Sequence, residues 1–211
     1  MAAARALIRE RGSAGLSMRE LAKRADVSIA TPYNLFGSKG AIVLAVLQDV
    51  REFRQKFAEQ SAADPLTRIF GAIDLAVEFY ASDPEFYRVL WREVFSALGE
   101  VRAAIYNPKR DAFWRAMIVE AAAAGALRSE IDAELLLHQL DHQFRSVMLD
   151  WVTGDLPAAM LAPTIRLGYA LILLGAATGG WRGPLESRIL SDQRILQQLG
   201  GEGRQRPAAG P

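Results

Sequence analysis

The stretch SMRELAKRADVSIATPYNLFGSK, residues 17–39, decides the fold of the N-terminal part of this chain. Ser17 and Glu20 form a capping box, in which the serine hydroxyl caps a helix and the glutamate reaches back to its start. Asp26 stands at the turn that follows, since aspartate tolerates the left-handed backbone conformation better than most residues. Ser28 can start a second short helix. Two short helices around a tight turn predict a helix-turn-helix, whose second helix lies in the major groove of DNA.

A wider set of motif residues surrounds this stretch. They are Arg11-Gly12, Leu16 to Ala22, Val27-Ser28, Thr31, Tyr33, Phe36 and Ser38-Lys39. On these residues the chain resembles the TetR family of transcriptional regulators from Ala6 to about Leu47, which is about a fifth of its 211 residues. The resemblance implies an all-α protein, with an N-terminal helix-turn-helix DNA-binding domain followed by a helical ligand-binding and dimerisation domain.

Three positions depart from the family pattern. Asp26 stands where the family usually has glycine, Gly40 where a glutamate is common, and Pro32 where an aliphatic residue lies in the recognition helix. Proline has no amide hydrogen and disfavours the helical conformation at the residue before it, here Thr31. Either the recognition helix starts late, with Thr31 as cap and Pro32 as first residue, or it starts at Ser28 with a distorted first turn.

Nine residues are candidates for DNA contact: Ser17, Arg19, Ser28, Ile29, Thr31, Pro32, Tyr33, Asn34 and Lys39. Helix N-termini and arginine both bind phosphate, which favours the first two residues of this set. Asn34 can pair with adenine, and Thr31 and Pro32 offer apolar contact to thymine methyl groups. The resemblance implies phosphate contacts for Tyr33 and Lys39. The serines are equally explained as helix caps alone.

The charge is divided unevenly along the chain. Residues 1–57 carry 10 Lys and Arg against 5 Asp and Glu, a net of +5, and residues 58–211 carry 15 against 19, a net of −4. Binding to DNA phosphates needs cations, and the basic part is the part that contains the helix-turn-helix. The charge therefore supports double-stranded DNA as a partner.

The composition disfavours several other classes of protein. The chain has no cysteine, so it has neither disulfides nor thiol chemistry, which is consistent with a cytoplasmic location. Its first residues are too charged for a secretory signal, and its longest apolar run, residues 167–177, is too short to cross a bilayer. We find no Gly-rich phosphate loop and no serine placed beside a histidine for catalysis. We therefore expect no enzyme, no cofactor and no membrane partner.

The rest of the chain also predicts helices. It shows neither the alternation of apolar and polar residues that is typical of strands nor the turn dipeptides that are typical of hairpins. Asp132 caps a long helix, and Asn107-Pro108 interrupts an earlier one. We expect a helix-turn-helix domain over residues 1–47 and a helical effector-binding and dimerisation domain over 48–199. The Gly- and Pro-rich segment 200–211 is expected to be disordered.

Aromatic side chains cluster in the first half of the second domain. Ligand pockets are lined by apolar and aromatic residues with a few polar groups, and they often lie between helices. The candidates for binding a small apolar effector are Tyr80, Tyr87, Trp91, Phe113 and Met117. The first three add a polar group to an aromatic ring. The alternative is that each is an ordinary core residue; the effector itself is implied by the family resemblance.

Two later helices are candidates for a homodimer interface. The helix after Asp132 has one apolar stripe for its own core and a second on the opposite side, formed by Leu135, His138, His142, Arg145, Leu149 and Val152. The next helix places mostly small residues on one face, namely Thr164, Gly168, Leu171 and Gly175. The alternatives are a metal site at the two histidines, which their place in the stripe disfavours, and close packing within one subunit. The family dimerises through its last two long helices, which favours the homodimer and no metal.

Together these observations predict a homodimeric transcriptional regulator that binds a palindromic operator. The resemblance favours a repressor that a small effector releases from DNA. The alternative, of a different class, is a helical small-molecule carrier or enzyme that has kept a degenerate DNA-binding head, and the proline in the recognition helix favours it.

Overall fold

The structure is a computed structural model, and it describes residues 1–12, 15–46, 56–58, 64–96 and 100–205. Within these residues every named element is an α-helix, and one isolated antiparallel bridge joins Leu127 to Ala177. The prediction of an all-α fold is confirmed.

The helices follow one another along the described chain. They are α1 (Ala2–Arg11), α2 (Met18–Arg24), α3 (Ala30–Phe36), α4 (Lys39–Val46), α5 (Pro65–Ser82), α6 (Pro84–Ser96), α7 (Glu100–Ile105), α8 (Pro108–Ala123), α9 (Ala133–Thr153), α10 (Ala158–Ala176) and α11 (Gly179–Gln205). Residues 56–58 are also helical. The sequence predicts one helix from Ser38 to about Ala58; it begins as expected, while its stretch 47–55 lies outside the described residues.

Internal contacts divide the chain into two compact units. The first unit contains Met1–Glu59 and Glu78–Phe113, and the second contains Gln60–Val77 and Trp114–Pro211. The helix-turn-helix thus shares a unit with α6 and α7, whereas α9, α10 and α11 lie in the second unit. The functional division predicted from the sequence, 1–47 against 48–199, stays a prediction.

Asp26 ends α2 in the way that glycine usually ends a helix. Its φ is 53°, in the left-handed region. The Val27 N–H donates to the Ala22 carbonyl at 3.0 Å, and the Asp26 N–H donates to the Lys23 carbonyl at 3.4 Å. This pair of hydrogen bonds is the Schellman pattern of helix termination. The prediction of a left-handed turn at Asp26 is confirmed.

The substitution Asp26→Gly is expected to stabilise the protein by about 0.5–1 kcal/mol, because glycine adopts a positive φ without the steric cost of a Cβ atom. Asp26→Ala keeps that cost, and alanine tolerates the left-handed conformation less well than aspartate, so it should destabilise. Urea unfolding of the wild type and both variants measures these changes. A shift of the same sign in both variants would contradict the interpretation.

Pro32 fits into the first turn of α3. The helix begins at Ala30, after a turn in which the Thr31 N–H donates to the Ser28 carbonyl at 3.0 Å. Pro32 is the third helical residue, a position whose N–H has no intrahelical partner in any α-helix. The helix therefore starts between the two predicted points, and the proline removes no hydrogen bond from it.

Contacts in the first unit join α1 to α6. Arg9 forms an ion pair with Asp83, the residue before α6. The Arg5 guanidinium lies 4.8 Å from the centroid of the Phe86 ring. A cation over an aromatic face contributes about 0.5–2 kcal/mol. The first helix of the DNA-binding head is therefore attached directly to α6.

Two predicted helix boundaries in the middle of the chain are confirmed. The Asn107 side chain accepts hydrogen bonds from the N–H groups of Lys109 and Arg110 at 3.0 and 3.1 Å, so it caps α8. Asp132 likewise caps α9, accepting from the Leu135 N–H at 2.9 Å. Both caps satisfy amides at a helix start that would otherwise have no partner.

In the second unit, α10 packs against both α9 and α11. Gln143 of α9 covers Gly168, where a Cβ atom would stand 2.1 Å from its Nε2, and it donates to the Thr164 carbonyl at 3.3 Å. Arg166 of α10 donates twice to Asp192 of α11, at 2.8 and 2.6 Å. It also donates to Asp74 of α5 at 2.5 Å. Direct polar contacts thus fix three helices of this unit to α10.

The sequence predicts a short last helix that starts at Gly183-Pro184 and ends at Leu199, and the last helix of the structure is longer. It begins at Gly179, ahead of Pro184, and continues to Gln205. The predicted disordered tail over 200–211 is therefore helical over 200–205, while 206–211 lie outside the described residues. A glycine lowers helix propensity by only about 1 kcal/mol, so the glycines at the start of this tail do not by themselves end a helix.

Candidate DNA-binding and effector-binding sites

Helix α3 presents an exposed face that combines apolar and polar side chains. Tyr33 is 55% exposed, and Ile29 and Asn34 are exposed beside it. The Ser28 and Thr31 hydroxyl groups lie 3.0 Å apart and share a hydrogen bond at the start of the helix. Amide, hydroxyl and apolar groups on one short helix can read base edges and thymine methyl groups in a major groove.

One predicted base contact is wrong, and one candidate was missed. Pro32 is buried, so its ring belongs to the packing of the small domain and is not available to a base. Leu35, which the sequence analysis left out, is 69% exposed on α3. The sequence could have indicated that Leu35 is exposed, because this residue falls outside the apolar stripe of the helix that contains Pro32 and Phe36.

Cations stand at the starts of the helices on either side of α3. Ser17 caps α2 by accepting from the Glu20 N–H at 3.1 Å, and Ser38 caps α4 by accepting from the Ala41 N–H at 3.1 Å. Arg19 is exposed in the first turn of α2, and Lys39 is the first residue of α4. The capping role of both serines is confirmed. A cation beside a helix N-terminus is an arrangement that binds phosphate.

An ion pair holds α1 to α2 in the DNA-binding head. Arg24 donates to both carboxylate oxygens of Glu10, at 2.6 and 2.5 Å. This hydrogen bonding holds the pKa of Glu10 below its ordinary value. A carboxylate with a lowered pKa stabilises the fold above its unfolded-state pKa, and the contribution is lost as the pH falls through the folded-state pKa. The pair is solvent-exposed, so its contribution is small.

Aromatic rings form a continuous cluster within the first unit. The Tyr80 ring centroid lies 5.3 Å from that of Tyr87 and 6.0 Å from that of Trp91. The Trp91 ring in turn lies 6.2 Å from that of Tyr106. Tyr87 is only 2% exposed, and its hydroxyl has no hydrogen-bond partner among the described residues. Because a buried hydroxyl usually has a partner, this atom is a candidate contact for a ligand.

The structure brings together three of the five predicted effector-binding residues. Tyr80, Tyr87 and Trp91 share the cluster. Phe113 instead packs edge-on against Phe57, with the ring centroids 4.9 Å apart. Met117 is buried in the second unit. Sequence reasoning missed Tyr106, because it stands at the end of a short helix with no periodic pattern around it.

Helix α9 exposes an apolar face with two histidines. Leu135 is 63% exposed, Leu149 is also exposed, and His138 and His142 lie between them. Arg145 pairs with Asp141 at 3.3 Å. Val152 is buried in its own subunit, so the prediction that it lies in a subunit interface is wrong. The remaining members of the predicted stripe are accessible to a partner.

Helix α10 divides its predicted interface residues between two environments. Leu171 is exposed, and the position of a Cβ atom on Gly175 has nothing within 4 Å. Thr164 and Gly168 instead meet Gln143 of α9. Gly168 is therefore closely packed within its own subunit, which was the alternative to a dimer interface, whereas Gly175 is not.

The described residues contain no group of three or more His, Cys, Asp or Glu side chains placed to hold a metal ion. One described helix, α10, is long and apolar enough to cross a membrane by length and composition alone. Core helices of soluble proteins share this property, and α10 packs between α9 and α11.

A capped first helix, a left-handed turn and an exposed second helix with flanking cations define a helix-turn-helix DNA-binding protein. Residues 1–46 match the profile of a family described as bacterial regulatory proteins, tetR family. The N-terminal part of the chain is therefore similar to the DNA-binding domain of this family of regulators. No curated protein matches its sequence.

Solved structures show the same fold at low sequence identity. The fatty acid degradation regulator FadR from Bacillus halodurans aligns with a TM-score of 0.67 and 20% identity, over 82% of this chain and 96% of its own. The FadR repressor of Thermus thermophilus, in complex with lauroyl-CoA, aligns at 0.64 and 22%, over 84% and 93%. The regulator TylP from Streptomyces fradiae aligns at 0.65 and 19%, over 98% and 89%.

Proposed function

We propose that this protein is a homodimeric repressor that binds a palindromic operator in the cytoplasm and is released from it by a small effector. The observation that carries the proposal is the exposed face of α3 between two capped, cation-bearing helix starts. In a dimer, two such heads read half-sites that are separated by about one helical turn of DNA or a multiple of it.

The proposed base-reading residues are Ser28, Ile29, Thr31, Asn34 and Leu35, and the proposed phosphate contacts are Ser17, Arg19, Tyr33 and Lys39. Leu35 replaces Pro32 in this set because the leucine is exposed and the proline is buried. An apolar side chain at that position can contact a thymine methyl group, which is one basis for discrimination between base pairs.

The effector site is proposed at the aromatic cluster. Tyr80, Tyr87 and Trp91 combine apolar area with polar groups, and the Tyr87 hydroxyl is buried without a described partner. The solved FadR of Thermus thermophilus contains lauroyl-CoA, which favours an effector with a long apolar part. The effector would favour a separation of the two heads that no longer fits the operator.

The homodimer is proposed to form through the exposed faces of α9 and α10. Leu135, Leu149 and Leu171 expose apolar surface there, and Gly175 leaves open space for a second helix. A two-fold interface uses the same patch on both subunits, so His138 and His142 of each copy would be buried by the other.

The DNA-binding proposal is tested with Lys39→Ala, which removes one phosphate contact. We expect weaker binding to every sequence and a salt slope reduced by about 1. Asn34→Ala should instead cost about 1–3 kcal/mol of discrimination at one base pair of each half-site. The probe is a duplex selected from random DNA by the wild-type protein, and Lys109→Ala, an exposed lysine outside the head, is the charge-matched control. Equal salt slopes for wild type, Lys39→Ala and Lys109→Ala would refute the docking.

We propose that the protein is a regulator and not an enzyme or a carrier. The feature that favoured a degenerate head was the proline in the recognition helix, but Pro32 occupies a first-turn position that needs no amide hydrogen. If the wild-type protein selects no DNA sequence above background, a carrier or an enzyme becomes the better proposal.

A further inference from the structure

The recognition helix and the turn before it contain no charged side chain. Residues 27–37, VSIATPYNLFG, include neither an acid nor a base, and Asn34 carries their only side-chain amide. In the major groove, arginine and lysine pair with guanine, aspartate and glutamate accept from cytosine, and asparagine or glutamine pairs with adenine. This segment therefore has a side chain that selects adenine and none that selects guanine or cytosine in these ways.

Aliphatic side chains surround Asn34 on the exposed face of α3. Pro32 is the buried residue of this helix, so the opposite side faces away from the small domain. At about 100° per residue, Ala30 and Asn34 lie together on that opposite side, and both are exposed. Ile29 and Leu35 lie at the two edges of the same face and are 50% and 69% exposed. A groove that receives Asn34 therefore also receives aliphatic side chains.

The neighbouring polar groups of the motif add no strong preference for another base. Ser28 Oγ and Thr31 Oγ1 lie 3.0 Å apart and share one hydrogen bond. A hydroxyl group both donates and accepts, so it distinguishes the bases weakly. The Arg24 guanidinium at the end of α2 donates to both carboxylate oxygens of Glu10, at 2.6 and 2.5 Å, which directs it towards α1. The aliphatic side chains and Asn34 thus determine what α3 can read.

Thymine is the base that presents a methyl group in the major groove. We infer that this protein recognises its operator through thymine methyl groups, so that A·T pairs occupy the positions that α3 contacts. Asn34 hydrogen-bonds to an adenine, and Ile29, Ala30 and Leu35 contact thymine methyl groups. Ile29 and Leu35 are separated by about 9 Å along the helix, so they contact different base pairs. This inference rests on the proposed DNA-binding function and names the base pairs that this function selects.

Deoxyuridine tests the inference, because it is thymidine without the methyl group. The probe is the duplex that the wild-type protein selects from random DNA, with deoxyuridine in place of one thymidine at a time. We expect about fourfold weaker binding at two or more positions of each half-site, since each substitution removes one buried methyl group. At those positions, 5-methylcytosine paired with guanine should bind about fourfold more tightly than cytosine, because it restores the methyl group alone. Deoxyuridine in the flanking sequence is the control and should leave the affinity unchanged.

Protein variants assign each methyl group to a side chain. Ile29→Ala should abolish the preference for thymine over uracil at one position of each half-site, and Leu35→Ala should abolish it at another. Asn34→Ala is the matched control: it should weaken the selection of an adenine and leave both methyl preferences unchanged. All three variants replace an exposed side chain by alanine, the residue of highest helix propensity, so α3 should remain folded. Circular dichroism of each variant checks this.

The outcomes separate the inference from the function on which it rests. If the protein selects no DNA sequence, the DNA-binding proposal is wrong, and the inference with it. If the strongest preferences in each half-site are for G·C pairs, or if deoxyuridine changes the affinity at no position, DNA binding stands and the recognition of methyl groups is wrong. Methyl preferences that survive both Ile29→Ala and Leu35→Ala would assign the recognition to other side chains and would also overturn the inference.

Discussion

Replacing Arg166 with methionine is expected to lower the free energy of unfolding by about 3–5 kcal/mol, because it leaves a buried carboxylate without its counter-ion. The Asp192 side chain is 3% exposed, and two of its hydrogen bonds come from Arg166. Burial alone would lower the pKa of Arg166, but hydrogen bonds to Asp192 and Asp74 outweigh this and raise it. Arg166 therefore remains charged at neutral pH.

Urea unfolding measures this loss, and two further variants isolate its cause. Asp74→Asn removes the other partner of Arg166, whose carboxylate is 48% exposed, and should cost at most about 1 kcal/mol. Arg166→Met combined with Asp192→Leu should recover most of the stability, because an apolar pair replaces a buried charge. Equal losses for Arg166→Met and Asp74→Asn would show that burial of Asp192 is not the reason.

The second large effect is expected at Gly168 and Gly175 of α10. The two glycines occupy equivalent positions in the sequence pattern, but their surroundings in the structure differ. Gly168→Leu should destabilise the subunit by about 1–3 kcal/mol, because its Cβ atom collides with Nε2, Cδ and Cγ of Gln143. Gly175→Leu should leave the stability of the subunit unchanged, since the space around Gly175 is open. If the proposed dimer is correct, Gly175→Leu prevents the association of two subunits while each subunit remains stably folded.

Chemical denaturation and sedimentation of the two variants measure these separate effects. Gly168→Ala with Gln143→Ala is the matched control, because removal of the glutamine side chain should relieve the collision. A dimeric, fully stable Gly168→Leu protein would contradict the packing of α9 on α10. A dimeric Gly175→Leu protein would leave that packing intact and would remove this face of α10 from the interface.

The features predictable from the sequence are those set by a few neighbouring residues. The caps at Ser17 and Asp132, the helix break at Asn107-Pro108 and the left-handed turn at Asp26 each depend on one or two side chains and the amides next to them. Such local rules place helix boundaries without knowledge of the tertiary structure. For this reason the order of the helices and the position of the helix-turn-helix could be predicted.

The features that could not be predicted depend on residues far apart in the chain. Gly168 and Gly175 lie on the same face of α10, and the position of Gln143 over Gly168 gives them different surroundings. Tyr106 joins the aromatic cluster because α7 brings it to Trp91. The apolar ring of Pro32 suggests a thymine-methyl contact from the sequence, yet the fold of the small domain buries it.

The attachment of α1 to α6 has a thermodynamic consequence for the proposed regulator. The helix that carries Tyr87 and Trp91 is also the one that Arg5 and Arg9 hold to the DNA-binding head. A coupling free energy between two binding sites acts equally in both directions. If the effector weakens operator binding a hundredfold, the operator weakens effector binding by the same factor. Protein that is not bound to DNA would then bind the effector first. Copies in excess of the operators would therefore set the effector concentration at which transcription begins.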